Sequence, residues 1–284
     1  MCSAIDSLLS INEIDSIDAI GVGSIGPLDL RSGRILDTPN IEIKNIPVKD
    51  YLQKKYNTKC VIANDCTAAV IAEKFFSKRN VDNIVYVTLS SGIGGGAIID
   101  GNVLFGKDGN AVEIGHFVVD PMGNIQCGCG GYGHWEAYTS GANIHKFCRL
   151  LIEQKFSFEK FRQSLISSLT DVDNVTYEIL SICAQKNDTL ALEIFNEIGK
   201  INAIGFANII NAFDPDVIVV GGSIVLKNPT HLVLSPIQKY VEDLTINRMP
   251  KIEKTHLEDD AVLLGALKIA MDPELIPRKF RENI

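Results

Sequence analysis

The chain has 284 residues, 46% of them hydrophobic and 22% charged, with a formal net charge of −8. That length and apolar content can bury a full core, predict two α/β lobes and exclude a disordered chain. The acidic balance and the scattered lysines exclude a nucleic-acid surface, which needs clustered Lys and Arg to neutralise phosphates. Seven cysteines, with no signal-like apolar segment near Met1, fit a reducing compartment, so a soluble, cytoplasmic protein is expected. The longest apolar stretch, Val217 to Leu226, is interrupted by Gly221 and Gly222 and is too short to span a bilayer, so no membrane partner is expected.

In chain order, Ile5, Leu8, Leu9 and Ile11 have helical spacing within Met1 to Ile14, and Asp18 to Val22 reads as a strand running into Gly23-Ser24-Ile25-Gly26-Pro27. On spacing alone, that last segment is equally a Gly-Pro turn and a ligand-lining loop. Leu28 to Asn40 reads as a small hairpin turning at Arg31-Ser32-Gly33. Pro47 suits the first turn of a helix over Val48 to Lys55, and a strand follows over Cys60 to Ala63. The strand delivers Asn64 and Asp65 at its carboxyl end, where ligands of open α/β sheets bind. The same aspartate would also cap a helix over Thr67 to Phe76, and spacing leaves both roles open.

Asn83 to Leu89 is β-branched and apolar, a buried strand, and Gly94, Gly95 and Gly96 lead into a second short strand over Ala97 to Ile99. Ser90, Ser91 and Gly92, with Gly94 and Gly95 behind them, offer hydroxyls and unencumbered N–H groups to an anion. A hairpin that needs glycine only for positive φ is the competing reading. Further on, His116, Cys127, Cys129 and His134 read H-x10-C-x-C-x4-H, with the cysteines set among glycines. Two thiolates and two imidazoles fill a tetrahedral zinc site and leave no open position for water, so the site is expected to be structural. Ordinary reduced cysteines on a loop are the alternative, although buried free cysteines more often sit in apolar strands.

Helical patterns follow over Ile144 to Gln154, Phe158 to Ser168, Val175 to Gln185 and Leu190 to Ala212. Val217 to Val220 reads as a strand that ends in a second glycine turn, Gly221-Gly222-Ser223, and Ile252 to His256 as another strand. Ala261 to Met271 is a small-residue helix whose Gly265 and Ala266 permit close packing. No linker or low-complexity tract divides the chain.

The strings EIGH and CGCGGYGHWEAYTSG resemble the ROK family of sugar kinases and sugar-responsive repressors. Its usual pattern, C-x-C-G-x-x-G-C-x-E, has cysteine where this chain has His134. The likeness runs from about Ile20 to about Ala270. Asn64-Asp65-Cys66-Thr67 is similar to the family's N-D-A-N element, with Thr67 in place of its final Asn, and Gly26 lies in a segment similar to G-x-G-x-P-G-P. The resemblance implies the actin-like ATPase (ribonuclease H-like) α/β fold, with two lobes around a cleft. The lobes would be residues 1–74 plus 262–284, and residues 75–261 carrying the zinc knuckle and the nucleotide site.

The implied activity is phosphoryl transfer from ATP, with Mg²⁺, to a hexose. Asp65 would be the general base, and Gly26, Asn40, Asn64, Glu113, His116 and Glu136 would hold the sugar. Ser90, Ser91, Gly92, Gly94 and Gly95 would meet the nucleotide's phosphates, and Gly221, Gly222 and Ser223 its adenosine. His116 would serve both zinc and sugar. Family members are often homodimers or homotetramers, and that expectation extends to this chain. The family's opening D-x-G-G-T phosphate turn has no counterpart after Met1, which predicts a true start upstream. Without such a segment, a sugar-binding pseudokinase is the rival reading, and a ROK-type regulator comes third.

Overall fold

The computed structural model describes residues 1–37 and 44–281; Asn40, expected to contact sugar, lies outside the described residues. The elements in order are α1 (Cys2–Ile11), β1 (Ala19–Ser24), β2 (Leu28–Asp29), β3 (Arg34–Ile35), α2 (Val48–Tyr56), β4 (Lys59–Asn64), α3 (Asp65–Phe75), β5 (Ile84–Leu89), β6 (Ile93–Ile99) and β7 (Asn102–Val103). Then come α4 (Trp135–Thr139), α5 (Ile144–Gln154), α6 (Phe158–Gln163), α7 (Tyr177–Gln185), α8 (Thr189–Phe213), β8 (Val217–Gly221), α9 (Ser223–Lys227), α10 (Thr230–Val241), β9 (Lys251–Lys254), α11 (Ala261–Met271) and α12 (Arg278–Arg281). The mixture of strands and helices is the expected α/β class. Among the described residues, no helix is long and apolar enough to cross a membrane.

The chain forms two compact units, each discontinuous in sequence. The first comprises Met1–Asn80, Gly96–Ala111 and Asp259–Ile284. Its β1 and β4 pair in parallel, with Ser24 opposite Asn64, so the loop through Gly26 and the Asn64-Asp65 pair leave the sheet at the same end. Ile20, Val22, Val61, Ile62 and Ile71 are buried, with Ile269 and Phe280, in one core. Burying each such side chain is worth roughly 1.5–3 kcal/mol. The expected close packing of α11 is present: a Cβ on Gly265 would lie 1.8 Å from the Ala68 carbonyl of α3, and one on Gly21 of β1 1.8 Å from that of Ala266. Only a hydrogen atom fits at either place.

The second unit comprises Val81–Gly95 and Val112–Glu258. Its β5, β8 and β9 are parallel neighbours, Thr88 standing opposite Gly221 and Val219 opposite Glu253. β5 and β8 are buried along nearly their whole length, which is why both read as continuous apolar runs rather than alternating ones. β6 starts in this unit and ends in the first, where Ile98 and Ile99 pair antiparallel with β7.

α5 and α11 span the residues their periodicity predicts. The segment expected as one helix over Phe158 to Ser168 is instead α6 and a short 3₁₀ turn at Ile166–Ser168. The Leu165 N–H donates to Asp188 Oδ2 at 2.7 Å, a bond from a distant segment that turns the chain out of the helix. Asp188 also caps α8 through the Ala191 N–H.

Candidate functional site

In the first unit, the end of β4 runs directly into α3, and the structure decides which residue caps that helix. Asn64 is the N-cap: its Oδ1 accepts the N–H groups of Cys66 at 2.9 Å and Thr67 at 3.3 Å. Asp65 is therefore the first helical residue, with Oδ1 2.8 Å from the Cys66 N. Burial raises the pKa of its carboxyl above the ordinary aspartate range, and the Cys66 N–H works against that shift. Asn64 keeps its Nδ2 as the end that can donate to a ligand. The loop carrying Gly26 is pinned by a residue the sequence did not single out. Asn110 accepts from the Leu28 N and donates to the Leu28 O, both at 2.7 Å. The partners are 82 residues apart, so no local signal pointed to them.

In the second unit, the carboxyl ends of β5 and β8 bring the two glycine turns together. Ser90 Oγ and Ser223 Oγ are 3.0 Å apart. Gly222 has φ +89°, and a Cβ there would lie 2.4 Å from the Leu89 carbonyl, so both its conformation and its space demand glycine. The first turn is shorter than expected. β6 begins at Ile93, so the turn is Ser90 to Gly92, and Gly94 to Gly96 lie within the strand. Gly95 is there for close approach, since a Cβ would meet Ile114 Cδ1 at 2.7 Å.

That contact places the Glu113–His116 segment against β6. A Cβ on Gly115 would fall 2.1 Å from the Ile93 carbonyl. Val112 has φ +67°, an outlier for a β-branched residue, and the Ile114 N–H closes back on its carbonyl at 2.8 Å. Glu113, with φ −74° and ψ 58°, is thus the apex of an inverse γ-turn, and His116 ends the 3₁₀ turn that follows. His116 Nε2 lies 4.0 Å from Glu113 Oε2 and its Nδ1 4.0 Å from Cys127 Sγ. One ring nitrogen faces a thiol and the other a carboxylate.

The four expected metal ligands converge. His116, Cys127, Cys129 and His134 each offer one atom, and these atoms all lie within 4.8 Å of one another. Cys129 Sγ is 3.2 Å from His134 Nδ1, and the two imidazole rings meet edge to face at 5.3 Å. Ligand pairs around tetrahedral zinc are about 3.5 Å apart, so a small contraction closes the set on one ion. The knuckle is strapped by Cys127 N–H to Gly131 O at 2.8 Å, Gly133 N–H to Ile125 O at 3.1 Å and Trp135 N–H to Phe117 O at 2.8 Å. Burial lowers the pKa of His134, favouring the neutral imidazole that ligates, and pushes the Cys127 thiol up to about 11. A thiolate at that position needs a cation to offset its burial.

Glu136 stands on α4 directly after the knuckle, with Oε1 3.8 Å from Cys127 Sγ and Oε2 accepting the Ile93 N–H at 2.9 Å. Trp135, fully buried, fixes this helix by donating to Asn202 Oδ1 at 2.8 Å, which also accepts the Thr139 hydroxyl at 2.6 Å. Asn202, buried on α8, satisfies two donors at once; it too lies far from its partners in sequence.

Comparison with known proteins bears on this set. The ROK family model matches residues 1–272. A glucokinase of Pyrobaculum calidifontis is 37% identical over 263 residues, covering 93% of this chain and 82% of that one. The xylose repressor of Bacillus subtilis is 30% identical over 259 residues, 89% of this chain and 61% of the repressor. Among solved structures, a ROK family glucokinase from Streptomyces griseus in complex with glucose and AMPPNP superposes with a TM-score of 0.77. It is 29% identical, with 95% of this chain and 86% of that one covered.

Proposed function

We propose that this chain, which belongs to the ROK family and has its actin-like ATPase fold, is a sugar kinase that transfers the γ-phosphoryl group of ATP to a hexose hydroxyl. Asp65 is the general base of this reading. The observation that carries it is the arrangement at the start of α3: Asn64 takes the cap and Asp65 shares only the Cys66 N–H with it, so capping alone does not account for Asp65. A carboxylate whose pKa burial has raised is a better proton acceptor than an exposed one, and correctly placed general-base help is worth about 10²–10⁴-fold.

Gly26, Asn40, Asn64, Glu113, His116 and Glu136 are assigned to the sugar hydroxyls on the family resemblance. Several polar groups acting together fix the orientation on which the rate depends. Ser90, Ser91 and Gly92, with Gly94 and Gly95, are assigned to the phosphates, and Gly221, Gly222 and Ser223 to the rest of the nucleotide. Mg²⁺ accompanying ATP would neutralise charge on the transferred group. His116, Cys127, Cys129 and His134 would hold zinc, whose contribution is to lock the knuckle and the His116 ring; it activates no water. A cytoplasmic enzyme, dimeric or tetrameric and without a nucleic-acid partner, completes the reading.

Support for ATP comes from the AMPPNP-bound relative and for hexose from the glucokinases. Discrimination among hexoses rests on pocket shape around single hydroxyls. A hexose panel with a coupled ADP assay tests the reading. ADP release that depends on one or more hexoses supports it. Hexose binding with no ADP release would favour the sugar-binding, regulator-like alternative that the xylose repressor relative keeps in view.

A further inference from the structure

Glu136 carries contacts that a sugar ligand does not need. Its Oε2 accepts the Ile93 N–H at 2.9 Å and occupies the space a side chain on Gly92 would take, since a Cβ there would lie 2.6 Å from that oxygen. The segment beyond α4 holds the same turn: the Gly141 N–H donates to the Ser90 carbonyl at 2.7 Å and the Ala142 N–H to the Ser91 carbonyl at 3.1 Å. In a trans peptide the N–H points opposite to the C=O. With the Ser90 and Ser91 carbonyls turned toward residues 141 and 142, the N–H groups of Ser91 and Gly92 are turned away from that segment. The turn therefore has two adjacent donors directed outward, while the next, Ile93, is held inward by the carboxylate.

Adjacent N–H groups with a common direction form an anion-binding concavity, provided the backbone is held. We infer that Glu136 is a positioning residue for the nucleotide phosphates: by fixing Ile93 it sets the direction of the Ser91 and Gly92 donors, in addition to any contact with sugar. This rests on the reading of Ser90 to Gly92 as a phosphate turn. It also gives Gly92 a reason to be glycine, because any larger residue displaces the carboxylate. A glutamine at position 136 keeps an acceptor oxygen for Ile93 without the charge, whereas an alanine removes the acceptor.

The test is calorimetric titration of the full, metal-loaded chain with AMPPNP and Mg²⁺ in the absence of sugar, alongside hexose titration without nucleotide and zinc analysis. Glu136→Ala should weaken AMPPNP binding by about tenfold, the loss of one charge-assisted hydrogen bond, while Glu136→Gln stays within about threefold of the parent. Zinc content should be unchanged in both. Gly92→Ala should reproduce the nucleotide defect alone and add little to Glu136→Ala, because both act on one contact. Glu136→Ala with parental AMPPNP affinity, or with loss of zinc, overturns the inference, as do fully additive losses in the double variant. A parent chain that binds no AMPPNP would instead sink the kinase reading from which the inference starts.

Discussion

At the end of β4, Asn64 and Asp65 are held by regular secondary structure: a strand paired along its length, a helix that starts at once, and backbone N–H groups that take up Asn64 Oδ1 and Asp65 Oδ1. The four clustered side chains from His116 to His134 sit on irregular chain instead, gathered by a γ-turn, a knuckle and a few backbone bonds, with Cys129 exposed and Cys127 buried. The first arrangement needs nothing beyond the chain to stay in place. The second brings two sulfurs and two imidazoles together at a cost that a bound cation would offset. Preorganisation by hydrogen-bonded backbone and preorganisation by an ion should therefore fail under different insults.

The sharpest division comes from Asp65→Asn. Turnover should fall by about 10²-fold or more with sugar affinity held within a few-fold, because the amide keeps the shape but cannot take the proton. Zinc content should not change. Steady-state kinetics with metal analysis checks both halves, and turnover within tenfold of the parent would leave Asp65 a structural residue.

Cys127→Ser should do the reverse, releasing the ion and weakening hexose binding by about tenfold, because the His116 ring then loses the ion that would fix its orientation. The AMPPNP affinity should move less than the hexose affinity. Parent protein purified without chelators should carry about one zinc per chain, and well under half an equivalent would end the metal reading.

A pH profile separates the two regions without a mutation. Burial raises the Asp65 pKa above its ordinary 3.8; below that raised value the carboxyl is protonated and cannot accept a proton. kcat/KM should then fall as pH drops through a value higher than 3.8 and recover above it. The Asp65→Asn variant should lack this acid limb. A parental limb that survives unchanged in the variant belongs to another group.

The smallest expected effect is on stability. Asn64→Ala removes a helix cap worth about 1 kcal/mol, so thermal unfolding should come slightly earlier, and Asn64→Asp should restore it, since either side chain can accept the same two N–H groups. Hexose affinity should fall in both variants if the Asn64 Nδ2 donates to sugar, because neither replacement supplies that N–H. Full hexose affinity in Asn64→Ala would confine the residue to capping.

Much of this protein was legible in order along the chain. Buried parallel strands announce themselves as short β-branched runs, as β5 and β8 do, and α5 and α11 could be bounded to the residue because an amphipathic or small-residue face is a local periodic signal. That His116, Cys127, Cys129 and His134 would converge was readable, because thiols and imidazoles at knuckle spacing have few other uses. What the tertiary structure alone decided depends on partners remote in sequence. The early end of α6 is set by Asp188, and the pinning of Leu28 by Asn110 and of Trp135 and Thr139 by Asn202 joins segments tens of residues apart. Even between neighbours, the composition of Asn64-Asp65 permitted either residue to cap α3. The choice fell to the backbone path out of β4, which puts the Asn64 side chain, with its extended ψ of 146°, against the N–H groups of Cys66 and Thr67. Hydrogen-bond direction is a property of where the backbone runs, and a one-dimensional pattern carries periodicity but not direction.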